Sequence, residues 1–74
     1  MLPMTNDRSR AMPIMQVFLM EGRTEEQKAG LIGALTDAAV ASIGVPRESV
    51  RVLITEMPKA HFGIGGKSAT ELGR

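Results

Sequence analysis

The chain has 74 residues, 43% of them hydrophobic, with nine lysines and arginines against eight acidic residues for a net charge of +1. So even a balance leaves no electrostatic footprint for a polyanion, and two aromatic residues, Phe18 and Phe62, make no stacking platform, which sets nucleic acid aside as a partner. The absence of cysteine and the single histidine, His61, exclude disulfides and a structural zinc site as staples, so one domain of this size needs self-association to bury enough apolar surface.

The leading "MLPMTNDRSRA" is polar and without period, and reads as a flexible extension. It has no continuous apolar run and carries Asp7, Arg8 and Arg10, so it is no signal peptide, and nothing in the chain reaches membrane-spanning length. The cytoplasm is the default location. The folded domain is predicted over residues 13–74, with residues 1–12 either a real extension or a mis-assigned start. From Ile14 to Met20, "IMQVFLM" is β-favouring and largely apolar on both alternating faces, which predicts a strand covered on both sides. "EGR" turns the chain. Thr24 with Gln27 three residues on is a capping-box signature, reinforced by Glu25 and Glu26, and predicts a helix starting at Thr24. Leu31, Ile32, Leu35, Ala38, Ala39 and Ile43 recur at three- and four-residue spacing as one apolar stripe meant for a sheet, and Gly44 before Pro46 marks the end. "SVRVLIT" then alternates Val50, Val52 and Ile54 with Arg51, Leu53 and Thr55, a second strand.

Strand, helix, strand at this spacing is a β-α-β unit of the α+β class with parallel strands. Two parallel strands do not make a viable sheet alone, so the face that the helix leaves open is expected to meet another subunit. The tail "HFGIGGKSATELGR" reads as a short hairpin followed by a last helical turn; its glycines suit backbone turning, and their spacing is not a nucleotide-binding fingerprint.

Chemistry centres on Pro13. If Met12 is the initiator and is removed, Pro13 gains a free secondary amine; a generic α-amino group titrates at about 7.7–8.0, and burial beside guanidinium groups lowers that toward the range of a general base at neutral pH. With residues 1–12 attached the same nitrogen is an amide without useful basicity, and Pro13 is then only a strand-leading proline. Arg51 lies among aliphatic residues, as either a structural ion pair or a ligand contact, and Arg23 sits in the turn before the helix cap. Phe62 is either a core plug or a pocket wall, and His61 is a weaker acid candidate. Ten residues of extended chain, at about 3.3 Å each, put Pro13 and Arg23 at opposite ends of the first strand, so any site using both is assembled from different subunits.

"PIMQVFLMEGRTEEQKAGLI" and "SVRVLITEMPKAHFGIGG" resemble the 4-oxalocrotonate tautomerase family, also called 2-hydroxymuconate tautomerases, over the span Pro13 to Arg74. The proline, "EGR" before a capped helix, "SVRV", "ITEMP" and "HFGIGG" fall in order at family spacing. The resemblance implies cofactor-free and metal-free β-α-β chains assembled as hexamers, trimers of dimers, acting on a small dicarboxylate or enol acid. By the same resemblance Pro13 would be the base, and Arg51 would bind one carboxylate and the adjacent oxygen as it gains charge. Arg23 would hold the distal carboxylate, and Phe62 would line the pocket. A related hydratase or dehalogenase chemistry would need a water-activating carboxylate, for which Glu56 lies on the wrong strand face. A catalytically silent carboxylate-binding scaffold is the alternative if the extension stays attached.

Overall fold

The computed structural model describes residues 12–74; the extension predicted ahead of Pro13 lies, from residue 1 to residue 11, outside the described residues. Strand β1 (Ile14–Met20) leads into helix α1 (Glu25–Ile43), and the chain returns through a 3-10 turn, Arg47–Ser49, to strand β2 (Arg51–Met57). The two strands pair in parallel, Ile14 opposite Arg51 through Met20 opposite Met57. Backbone bonds extend the ladder past both ends: the Arg51 N–H donates to the Pro13 carbonyl and the Glu21 N–H to the Met57 carbonyl, each at 2.9 Å.

The predicted capping box starts α1. The Gln27 N–H donates to Thr24 Oγ1 at 3.0 Å while the Thr24 N–H donates to Gln27 Oε1 at 2.9 Å, satisfying two otherwise orphaned donors. At the far end Gly44 takes the left-handed conformation, φ 68°, and its N–H reaches the Val40 carbonyl at 3.1 Å, so the helix stops where the glycine allows it to.

Glu56 of β2 bonds Lys28 of α1, which identifies the sheet face beneath the helix. Val52 and Ile54 share that face with Glu56, and the register adds Met15, Val17 and Leu19, all half-buried. The opposite face carries Ile14, Phe18 and Leu53 at 64%, 63% and 47% exposure, so the apolar two-sided strand is covered on one side only within a single chain. The helix stripe is also narrower than its spacing predicts. Leu31, Leu35 and Ala39 face inward, but Ile32, Ala38 and Ile43 are exposed. At 3.6 residues per turn these three lie roughly 60–80° round the helix from the inward line, and a two-stranded sheet is too narrow to reach both flanks.

Beyond β2, Pro58 leads into a second 3-10 turn, Lys59–His61, and then into an antiparallel hairpin of β3 (Gly63–Ile64) and β4 (Lys67–Ser68). Its two-residue turn has Gly65 and Gly66 at φ 60° and 90°, the double positive φ that twists a tight hairpin in the strand sense. The last turn closes on Ala69, which is fully buried; its N–H donates to the Phe62 carbonyl at 2.8 Å and its carbonyl accepts from the Arg74 N–H at 2.9 Å. Among the described residues no helix is long and apolar enough to cross a membrane, and no cluster of three histidine, cysteine or acidic residues could hold a metal ion.

Candidate active site

Parallel pairing gathers the residues singled out from sequence into two groups. Pro13 and Arg51 stand together where the strands begin. The carbonyl of Pro13 accepts from the Arg51 N–H, so the ring sits one ladder step from the arginine, half-buried at the strand entrance. By alternation the Arg51 side chain leaves the sheet on the face away from α1. It is exposed, and its guanidinium donates to the Glu48 carbonyl at 2.7 Å, with a longer contact of 3.5 Å to the carbonyl of Val50. No carboxylate among the described residues pairs with it, so backbone tethers one nitrogen and the rest of the donor fork is left for an incoming anion. A shallow depression beside it is lined by Met12, Pro46, Glu48 and Ser49. With Met12 attached, the Pro13 nitrogen is an amide.

Arg23 and Phe62 meet where the strands end. They line one cleft of about 520 Å³ whose walls are apolar, with Phe18, Met20 and Met57 beside Phe62. Arg23 arrives there because Gly22 bends the chain at φ 125°, a conformation that a side chain would strain. The Phe62 ring is carried between the second 3-10 turn and the hairpin: the Phe62 N–H donates to the Lys59 carbonyl at 3.2 Å, and its own carbonyl accepts from Ala69. Two further cationic side chains, Lys59 and Arg74, and one acidic side chain, Glu21, also line this cleft. Sequence reasoning did not single out these three. The register held the clue for Lys59, since it follows Met57 by two residues just as Arg23 follows the paired Met20 by three.

The two groups are separated by the seven residues of β1, about 23 Å at roughly 3.3 Å per residue. A single chain therefore brings Pro13 to Arg51 and Arg23 to Phe62, and does not bring the pairs together. Glu56 belongs to neither group. It accepts from Lys28 Nζ at 3.0 Å under the helix, Lys28 also reaching Glu25 at 3.2 Å; the hydrogen bond to Glu56, then that to Glu25, holds the ammonium above its ordinary value. A carboxylate so engaged, on the face opposite Arg51, is not placed to activate water at the candidate site. His61 is exposed and does not line the cleft.

Known proteins carry the same architecture. The family model "Tautomerase enzyme" matches residues 13–72. A protein of Ralstonia nicotianae named a probable tautomerase is 63% identical over 62 residues, 81% of this chain and 89% of its own length. The 2-hydroxymuconate tautomerase of Stutzerimonas stutzeri is 56% identical over 63 residues, 85% of this chain and 100% of its own. Among solved structures, a heterohexameric 4-oxalocrotonate tautomerase from Chloroflexus aurantiacus J-10-fl superposes with a TM-score of 0.77 at 44% identity, covering 82% of this chain and 98% of that one. Sequence and fold agree over the β-α-β unit and the hairpin alike, and the chain belongs to the tautomerase family of keto–enol isomerases.

Proposed function

We propose that the chain ketonises 2-hydroxydienoate-type acids such as 2-hydroxymuconate, with Pro13 as general base once its nitrogen is a free N-terminal amine. The observation that carries this reading is the placement of Pro13 and Arg51 at one end of the paired strands and of Arg23 and Phe62 at the other. A diacid laid across a junction of two chains would find Pro13 and the untethered donors of Arg51 at one end, and Arg23 with the Phe62 wall at the other. The amine accepts the proton that the dienol gives up and returns one to the far carbon of the diene, so a 2-hydroxy diene becomes its conjugated 2-oxo isomer with no atom gained or lost. Arg51 meets the oxygen on which charge develops, which is where a preorganised donor lowers the barrier. Arg23 holds the distal carboxylate, and Phe62 keeps water from the amine, which favours its neutral, basic form.

The same reading includes self-association, most simply as a homohexamer built as a trimer of dimers. It draws on the exposed Ile14, Phe18 and Leu53 of the open sheet face and on the hexameric state of the Chloroflexus relative. The amide state of the Pro13 nitrogen supports a second reading for the chain with residues 1–12 attached: a carboxylate-binding assembly without turnover. The test is ketonisation of 2-hydroxymuconate followed by ultraviolet absorbance, with chain beginning at Pro13 compared with chain beginning at Met1. Turnover by the first and none by the second is expected; an assembled Pro13 chain no faster than the buffer refutes the proposal.

A further inference from the structure

The cleft at the strand ends is lined by more cationic side chains than the one arginine of the proposed mechanism. Lys28 is engaged by Glu25 and Glu56, Arg47 by Asp37 at 2.7 Å, and Arg51 by the Glu48 carbonyl. Arg23, Lys59, Lys67 and Arg74 have no side-chain partner among the described residues, and all of these but Lys67 line this cleft, against the single acidic side chain of Glu21 and the terminal carboxylate that Arg74 itself carries. Unpaired cations over apolar walls suit an organic anion with a short unsaturated stem: the walls take the stem and the cations take the charge.

Lys59 has the firmest seat of the two added cations. Its turn follows β2, the register neighbour of the strand β1 that leads to Arg23, so the two approach the cleft from adjacent strand ends. Its turn is held by the His61 N–H on the Pro58 carbonyl at 2.9 Å, and its own carbonyl is bonded by the residue whose ring forms the wall. Movement of Lys59 is thereby tied to that of Phe62. We infer that Lys59 is a specificity-determining residue that binds the distal carboxylate of the substrate together with Arg23, and so selects dicarboxylates over monocarboxylates. This rests on the reading of the cleft as the distal end of the isomerase site. A compact ammonium beside a planar guanidinium lets one carboxylate accept from both, each from its own direction.

The experiment pairs kinetics with binding. In the chain beginning at Pro13, Lys59→Gln is expected to raise KM for 2-hydroxymuconate about fivefold to tenfold, between what an exposed ion pair and a charge-assisted hydrogen bond contribute, with kcat changed by less than about twofold. The monocarboxylate 2-hydroxy-2,4-pentadienoate should keep its wild-type KM, and Lys59→Arg should restore the dicarboxylate. In the full chain, calorimetry with unreactive adipate and hexanoate should show a preference for adipate that Lys59→Gln weakens by about fivefold to tenfold, Arg23 keeping the remainder. Equal losses on both substrates, or wild-type chain that holds adipate no better than hexanoate, overturn the inference. If neither acid is turned over but the adipate preference is present and depends on Lys59, the inference stands and the assignment of Pro13 as base falls. Should Lys59→Gln fail to assemble, Lys59→Met carries the same comparison.

Discussion

The separation of Pro13 from Arg23 makes a quantitative prediction about mixed assemblies. Seven residues of β1 hold the two about 23 Å apart in one chain, well beyond the span of an arginine side chain, so the site proposed above takes its base from one copy and its distal arginine from another. Two impaired chains are prepared, one N-acetylated at Pro13, so that its nitrogen is an amide and the base is lost, and one carrying Arg23→Ala, slowed about tenfold or more on the dicarboxylate. Each alone lacks a part in every site. Mixed in equal amounts, denatured and reassembled, half the sites take Pro13 from the Arg23→Ala chain, and half of those take Arg23 from the acetylated chain. About a quarter of wild-type activity toward 2-hydroxymuconate should therefore return, if the copies assort at random in a symmetric oligomer. Initial rates against mixing ratio should peak at equal proportions. Recovery in wild-type chain taken through the same procedure, with no gain in the mixture over the Arg23→Ala chain, would refute the shared site and the strand-length argument with it.

The two arginines should separate kinetically. Arg23→Ala should cost roughly tenfold to a hundredfold or more in kcat/KM on a dicarboxylate, from about 1.5–3 kcal/mol of charge-assisted contact, and little on a monocarboxylate, whereas Arg51→Ala should depress kcat on both, because its oxygen gains charge only on the way to the transition state. Thr24→Ala removes the hydroxyl that accepts from Gln27 and should destabilise the fold by about 1 kcal/mol, read as a lower denaturant midpoint at unchanged slope. Lys28 titrates above its reference value of 10.5 in the folded chain, so its contribution to stability is complete below that pH and is lost as pH rises through the folded value; Lys28→Met should flatten the alkaline part of the stability profile and leave the neutral part unchanged in slope.

Much of this architecture was legible because local chemistry and global fold agree. Thr24 and Gln27 announce the helix start through side chains that can satisfy each other, Gly44 announces its end, and paired glycines at 65 and 66 announce the hairpin turn. The opposite positions of Pro13 and Arg23 followed from chain length alone. Exposure on the helix flank did not: Ile32 and Ile43 satisfy the periodicity as well as Leu35 does, and only the width of the sheet decides which of them it covers. Lys59, Arg74 and Glu21 were likewise hidden. Each looks like an ordinary solvated charge along the chain, and they converge only when β1 and β2 end side by side and the last turn folds back toward them.

The bond that seats Pro13 at the strand entrance is made by its carbonyl, not its nitrogen. A proline nitrogen in a peptide bond has no hydrogen to donate, so the ladder neither needs nor uses that atom. Cutting the chain between Met12 and Pro13 therefore changes the nitrogen from amide to amine without removing a single hydrogen bond of the β1–β2 ladder. On the proposed mechanism, folding and the exposure of the base are therefore separable: a chain that begins at Pro13 and one that carries residues ahead of it share the same strand ladder, and differ at the strand entrance in whether the nitrogen is an amine or an amide.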